Sequence, residues 1–249
     1  MSFALEVKAV SKHFDGVKAV NDVTFSVSSG ALHALIGPNG AGKTTLFNCI
    51  TGETAPTKGE VIFEGSRISG RRPYELPAFG VSRSFQRTSI FPSLTVAQNV
   101  WVSAFRRHLG ARVEVMRAAD SHAEVRETIV ETLDQVGLAK YANAPATALG
   151  HGDQRLLDFA IALAAQPRLL LLDEPAAGLS RVDTQRVMHL IEGLKSRYTI
   201  LLIEHKMDVV MSISDQITVM YFGEVLAEGA PDEIRANPKV REAYLGRRA

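Results

Sequence analysis

Residues 37–45, Gly37-Pro38-Asn39-Gly40-Ala41-Gly42-Lys43-Thr44-Thr45, fit the pattern G-x-x-x-x-G-K-[ST] of a phosphate-binding loop. Glycines let such a loop curl until successive backbone N–H groups point inward at phosphate oxygens. A helix opening near Lys43 would add the partial positive charge of its N-terminus. Lys43 would bring a full charge to the β- and γ-phosphates of a nucleoside triphosphate, and the Thr44 hydroxyl could coordinate Mg2+. A glycine turn with a chance lysine is the plainer alternative, but a buried strand before the loop and a helix after it are the context the motif requires. A second set lies far along the chain. Leu169-Leu170-Leu171-Leu172 ends in the adjacent carboxylates Asp173 and Glu174. A buried strand there would deliver Asp173 to the C-terminal edge of a sheet, where open α/β folds bind ligands. Asp173 could then hold Mg2+, largely through water, while Glu174 suits a general base that polarises an attacking water. Taken alone, the pair also fits a strand followed by a solvated acidic turn.

The elements that must position these groups are legible in the pattern. In Asp22–Ser28, Val23, Phe25 and Val27 alternate with Thr24, Ser26 and Ser28, which predicts a half-buried strand. Ser29-Gly30 turns into Ala31–Ile36, an apolar run suited to burial on both faces. Lys43–Ile50 reads as a helix and Glu60–Phe63 as a strand. Between about Pro92 and Pro145 the chain reads as helical, over Val96–Phe105 and Ala118–Val136. Val125, Ile129, Val130, Leu133 and Val136 are expected on one apolar face, and Gly137 is expected to stop the second helix. Beyond it come a helix (about Gln154–Ala165), strand Leu169–Asp173, helix Arg181–Ser196 and strand Thr199–Ile203. A short strand follows Gly223, then a helix at Pro231–Ala236. Strand–helix alternation of this kind implies a parallel sheet with crossover helices.

Composition narrows the function classes. The 249 residues carry 28 basic and 27 acidic side chains, a net charge of +1. That balance argues against a chain that coats nucleic acid or an anionic membrane. The single cysteine, Cys49, excludes an intramolecular disulfide or a Cys-built metal site. No apolar run approaches the roughly 20 residues of a spanning helix, and the opening Met-Ser-Phe-Ala-Leu-Glu has no signal-peptide pattern. A cytosolic protein, or one held on a membrane by a partner, is expected.

With these motifs in place, the chain resembles the ATP-binding cassette (ABC) ATPases nearly end to end. The resemblance implies an α/β fold. It has a P-loop NTPase core with a mainly parallel sheet, an N-terminal antiparallel β subdomain and a helical insertion, here 92–145 within a core of 1–91 and 146–249. It assigns Phe14 to stacking on adenine and Gln86, in Ser84-Phe85-Gln86-Arg87, to contacts with Mg2+ and the attacking water. His205, after Leu201-Leu202-Ile203-Glu204, becomes the switch residue that reaches the γ-phosphate. Each of these three would be an ordinary packed or surface residue if it stood alone. Within the family, Arg83-Ser84-Phe85-Gln86, Leu94-Thr95-Val96-Ala97-Gln98-Asn99-Val100 and Glu174-Pro175-Ala176-Ala177-Gly178-Leu179 are similar to the larger ATPase subunit of branched-chain amino-acid importers. So are Ile203-Glu204-His205-Lys206-Met207 and Glu242-Ala243-Tyr244-Leu245-Gly246. The resemblance implies ATP and Mg2+ as cofactors. It also implies a head-to-tail pairing with a second cassette, either a copy or a paralogue. Membrane permeases and, indirectly, a solute-binding protein would complete the complex. Location would be the cytoplasmic face of the membrane, without direct insertion and without nucleic acid.

The likeness has three departures. The signature segment, usually Leu-Ser-Gly-Gly-Gln, reads Leu149-Gly150-His151-Gly152-Asp153. In the family this segment caps the ATP held by the opposing subunit, so Gly150 and Gly152 are candidate nucleotide contacts, with the serine hydroxyl lost at Gly150. Asp153 should repel a triphosphate unless it faces away or pairs with Arg155. Ser180 stands where aspartate is common, and with Asp183 it resembles a helix-capping box. Two other readings stay open on sequence alone: an ABC ATPase without a transport role, and a regulator that binds ATP through a degenerate signature. Thr88–Leu94 and Val100–Phe105 are candidates for the permease-facing surface, or else part of the helical core.

Overall fold

The computed structural model describes residues 3–84, 90–109 and 121–245. The chain enters as a long hairpin in which β1 (Phe3–Phe14) and β2 (Val17–Ser28) pair antiparallel. Asp15 and Gly16 form the turn with φ of 43° and 91°, the positive values that a two-residue hairpin loop requires. Val23, Phe25 and Val27 are buried and Thr24 exposed, as the alternation predicts. With β4 (Lys58–Phe63) and β5 (Ser66–Arg67) they form a four-stranded sheet in the order β2-β1-β4-β5.

A second, six-stranded sheet carries the chemistry. Its order is β10 (Glu224–Gly229), β9 (Gln216–Tyr221), β3 (Leu32–Ile36), β8 (Thr199–Ile203), β7 (Leu169–Asp173) and β6 (Val81–Ser84). Every pairing from β9 to β6 is parallel, and only β10 joins antiparallel. All residues of β3, β7 and β8 are buried, because layers cover both faces. Leu170 and Leu172 of β7 join a core built with α4 (His151–Ala164) and α5 (Arg181–Leu194). Leu169 and Leu171 join a core built with α1 (Lys43–Ile50) and the first sheet. At roughly 1.5–3 kcal/mol for each fully buried leucine, this two-sided burial fixes the register of the strand. Asp173 continues the odd-numbered series and so turns toward the α1 layer. A third core packs β3 and β9 against α6 (Met207–Ile213), α7 (Pro231–Ala236) and α8 (Pro238–Leu245).

α2 (Val96–Leu109) and α3 (Ser121–Gln135) pack on each other and on α4. Thr95 and Gln98 cap α2 reciprocally, with N–H to side-chain oxygen distances of 2.8 and 3.2 Å. Gly137, at φ 73°, ends the helical region as expected, and the Leu138 N–H reaches back to the Leu133 carbonyl. One expectation fails here. Val130 is 59% exposed, and Thr128 and Thr132 are buried beside Val125 and Leu133. Five residues past Val125, a helical position has rotated about 140° away from it. The helix of the signature segment starts at His151, earlier than the expected Gln154. β6, β9, α6 and α8 had no prediction.

Candidate functional site

The loop after β3 curls through positive φ at Gly37, Gly40 and Gly42. A Cβ on Gly37 would collide with the Met220 carbonyl oxygen of β9, and one on Gly42 with the Ala19 carbonyl oxygen of β2. Glycine is therefore required where the loop threads between the two sheets. The loop is further tied by the Gly223 N–H, which donates to the Ala41 carbonyl at 3.0 Å. Gly42 opens α1 without a capping side chain, and the first turn holds no acid. The leading N–H groups and the helix dipole thus face the loop unopposed by any local carboxylate. The Lys43 ammonium is turned back into this cradle, donating to the carbonyls of Gly37 at 2.7 Å and Pro38 at 3.0 Å. Thr44 is exposed on the same turn and Thr45 half-buried; Pro38 and Asn39 complete the cradle beside Gly40 and Ala41.

Across the sheet, Asp173 is 2% exposed at the end of β7. Burial pushes its carboxyl above the ordinary carboxylate range; Arg83 works against that shift and Glu174 with it. Arg83, from the end of β6, places its Nη2 3.4 Å from Asp173 Oδ2 and lies over the Phe47 ring of α1. Glu174 follows at φ 45°, an unusual state for a residue with a side chain, costing on the order of 1–2 kcal/mol. That turn takes Glu174 out of the strand alternation, while its N–H still donates to the Ile203 carbonyl of β8 at 2.9 Å. His205, half-exposed after β8, brings Nδ1 within 3.9 Å of Glu174 Oε1. Its position is set by the fully buried Glu204, whose Oε2 accepts the N–H groups of His205 and Lys206 at 2.7 and 3.1 Å. Two neighbouring strands thus present a buried acid, a half-buried acid and an imidazole at one sheet edge.

Arginine 155 was expected, as one option, to neutralise Asp153. It does not. Arg155 is buried and turned inward, donating to the carbonyls of Pro175 (3.0 Å), Glu174 (3.3 Å) and Asp173 (3.4 Å). Its Nη1 lies 3.6 Å from Asp158 Oδ2. Residues two apart on a helix point to opposite sides, so Arg155 and Asp153 cannot share a face. Asp153 instead pairs with Arg186 of α5, Nη2 to Oδ1 at 2.9 Å. Ser180 caps α5 by accepting the Asp183 N–H at 3.1 Å, as expected. Gly150 is the N-cap of α4 with an ordinary φ of −65°, and a Cβ on Gly152 would collide with the Asp183 carboxylate. Phe14 sits at the hairpin tip, 47% exposed, with Lys12 Nζ 5.0 Å from its ring. Gln86 lies outside the described residues. The sequence assigns no role to Arg83 or Arg186, and to Arg155 only the pairing with Asp153 that fails here. Only the spacing of Arg155 to Asp158 and of Arg186 to Asp183, three residues each on a helix, offered a signal.

Comparison with known proteins agrees with this geometry. The family model "ABC transporter" matches residues 20–177, and the model "Branched-chain amino acid ATP-binding cassette transporter" matches 224–249. The chain is 42% identical over 249 residues to the high-affinity branched-chain amino acid transport ATP-binding protein BraF of Pseudomonas aeruginosa, covering 97% of each chain. It is 40% identical over 250 residues to LivG of Salmonella typhimurium, a protein with the same description, again over 97% of each. A crystallised ATP-binding cassette of an ABC transporter superposes with a TM-score of 0.84 at 30% identity, covering 98% of this chain and 99% of that one. A dimeric, post-hydrolysis cassette bound to ADP and phosphate superposes with a TM-score of 0.75 at 25% identity, over 91% of this chain and 98% of the other.

Proposed function

The chain belongs to the ABC transporter family of ATP-binding cassettes, and on that premise we propose that it hydrolyses ATP as one subunit of an importer for branched-chain or related amino acids. The observation that carries the reading is the meeting of two elements from distant parts of the sequence. An uncapped, glycine-lined helix start bearing Lys43 stands on the same side of the sheet as Asp173, with Glu174 and His205 at its edge. The loop amides, Lys43 and the α1 dipole bind the triphosphate, and Phe14 stacks on the base. Glu174 takes the proton from the attacking water, and His205 donates toward the γ-phosphate.

The residues fit Mg2+. Among the described residues no cluster of three or more His, Cys, Asp or Glu side chains could hold a metal by itself. Mg2+ asks for less, namely one or two oxygen donors with substrate phosphates and water completing the shell. The exposed Thr44 hydroxyl and the buried Asp173 carboxylate would supply those donors; Gln86, the further contact that the family resemblance implies, lies outside the described residues. Bound there, the ion would neutralise charge on the β- and γ-phosphates.

The partner is a second cassette, whose ATP is capped by Gly150, Gly152 and the start of α4. The descriptions of the relatives and the dimeric cassette support this pairing and the amino-acid cargo. No described helix is long and apolar enough to cross a membrane. The relatives' descriptions as transport ATP-binding proteins support attachment to permease subunits at the cytoplasmic face. Phe91, Trp101 and Val102 are exposed, and Trp101 stacks on Phe105 at 4.4 Å, while Val100 and Ala104 are core. Asn99 is fully buried and bonds both the N–H and the carbonyl of Phe91, at 2.7 and 3.1 Å, which holds Phe91 beside α2; this exposed patch supports the reading of a permease-facing surface. The test of the activity is Glu174→Gln in the purified complex. Turnover should fall about 10²–10⁴-fold with ATP binding retained; hydrolysis at the parent rate would remove Glu174 as the base.

A further inference from the structure

The ion pair between Asp153 and Arg186 joins two helix starts that sequence separates. Asp153 lies in the first turn of α4, immediately after Gly150 and Gly152. Arg186 comes from the second turn of α5 and reaches Asp153 Oδ1 through Nη2 at 2.9 Å. Its Nη1 is 3.5 Å from Asp183 Oδ1. Asp183 Oδ2 accepts the Ser180 hydroxyl at 2.7 Å, and Ser180 Oγ accepts the Asp183 N–H. One guanidinium thus spans the α4 start and the turn that opens α5, with the Asp183 carboxylate lodged where a side chain on Gly152 would have to go. The charge count is two carboxylates against one guanidinium. With Arg186 the cluster carries one net negative charge, and without it two.

We propose that Arg186 is a positioning residue of the composite nucleotide site: it draws the Asp153 carboxylate onto α5 and neutralises it, so that the α4 start can receive the partner's triphosphate. The proposal rests on the reading that this helix start caps a nucleotide held by a second cassette. An acid in the first helical turn suits the helix dipole but opposes an incoming polyanion. Asp153 is tolerated there because its charge is already spent within the chain. The side chain of Arg186 is 45% exposed, so the pair contributes little to folding and its removal leaves the fold intact. Its effect belongs to nucleotide affinity.

The experiment measures ATP hydrolysis by the complex purified through a tag on this chain, with KM and kcat determined separately and at two salt concentrations. Arg186→Ala is expected to raise KM for ATP about threefold to tenfold at low salt, the scale of one uncompensated charge acting over roughly 8 Å in a partly exposed site. The deficit should shrink near 0.5 M salt, where the Debye length is only about 4 Å. Arg186→Lys should recover most of the parent KM. Asp153→Asn in the Arg186→Ala background should recover it as well, because the charge that needed an arginine is gone. An unchanged KM in Arg186→Ala, or a raised KM that Asp153→Asn does not lower, overturns the proposal and leaves Arg186 a packing residue. A second arm isolates the premise. Gly150→Asp puts a good N-cap at an ordinary φ with open space around its Cβ, so it folds, yet it aims a carboxylate at the same place. If Gly150→Asp raises KM and Arg186→Ala does not, only the role of Arg186 falls. If neither does, the capping of the partner's nucleotide falls with it.

Discussion

Replacing Arg155 by alanine tests how the catalytic turn is held. The side chain is 5% exposed, and its guanidinium is bonded to the carbonyls of three consecutive residues, Asp173, Glu174 and Pro175, and paired with buried Asp158. Burial draws the guanidinium below its ordinary value while Asp158 and Asp173 hold it up, and it stays charged. Breaking a buried pair by removing one partner typically costs about 3–5 kcal/mol, because the other charge is left in a low-dielectric surround. For a chain of this size each kcal/mol lowers Tm by about 2–4 °C, so Arg155→Ala should melt roughly 6–20 °C lower. The measurement is thermal unfolding of the isolated chain followed by circular dichroism. Arg155→Met with Asp158→Asn, which removes both charges and keeps most of the volume, should recover only the part of the loss due to the stranded Asp158 charge, since the three carbonyls stay unbonded. In the complex, Arg155→Ala should lower kcat more than it raises KM. Glu174 would lose the carbonyl bond that holds its turn at the sheet edge. A Tm within about 2 °C of the parent, or a double variant that regains the full parent Tm, would refute the view that the guanidinium bonds organise the turn.

Two further outcomes follow from the geometry. Lys43→Ala removes a charge-assisted bond to phosphate worth about 1.5–3 kcal/mol, so titration calorimetry should find ATP affinity down roughly 10- to 100-fold; equal affinity would exclude Lys43 from the phosphate cradle. His33 is buried, its Nε2 2.7 Å from Thr218 Oγ1, and burial pulls its pKa from 6.5 to about 4. The unfolded chain therefore takes up this proton first: the stabilisation is complete above pH 6.5 and is lost as pH falls toward 4, amounting to about 3 kcal/mol. His33→Gln should flatten the fall of Tm over that window relative to the parent; parallel profiles would show that another group is responsible.

What the sequence made legible was whatever repeats at short range. β3, β7 and β8 are unbroken apolar runs because both faces are covered, and α1 begins where the glycines end. Asp173 and Glu174 could be placed because they close such a run, whereas His205 could be placed by its likeness to the family's switch histidine. β6 escaped because Val-Ser-Arg-Ser is short and polar, although Ser82 and Ser84 are buried. β9 escaped because Thr218 interrupts its apolar pattern, and that threonine is fully buried only because His33 meets it from β3. The three arginines were unreadable for the same reason. What Arg83, Arg155 or Arg186 touches is decided by which strand or helix lies alongside, and a local pattern carries nothing about that. Asp153 is the sharpest case. Its nearest basic neighbour in sequence faces the wrong way, and its partner stands 33 residues on, across a helix pair.

The cations near the site divide by what they hold. Arg155 grips three carbonyls and is enclosed on all sides, so a nucleotide has no route to it. Arg83 already faces the carboxylates of Asp173 and Glu53, at 3.4 and 3.6 Å, and exchanging them for phosphate would trade one anion for another. Lys43 donates to two neutral acceptors, the carbonyls of Gly37 and Pro38. A hydrogen bond to an ionised oxygen is about twice as strong as one to a neutral oxygen. A triphosphate taking the place of these carbonyls would therefore strengthen the hydrogen bonds that Lys43 makes. On the proposed reading, binding would reorganise Lys43, while Asp173 and Glu174 would stay held by Arg83 and by the Arg155 bonds to their carbonyls, the preorganisation that hydrolysis requires.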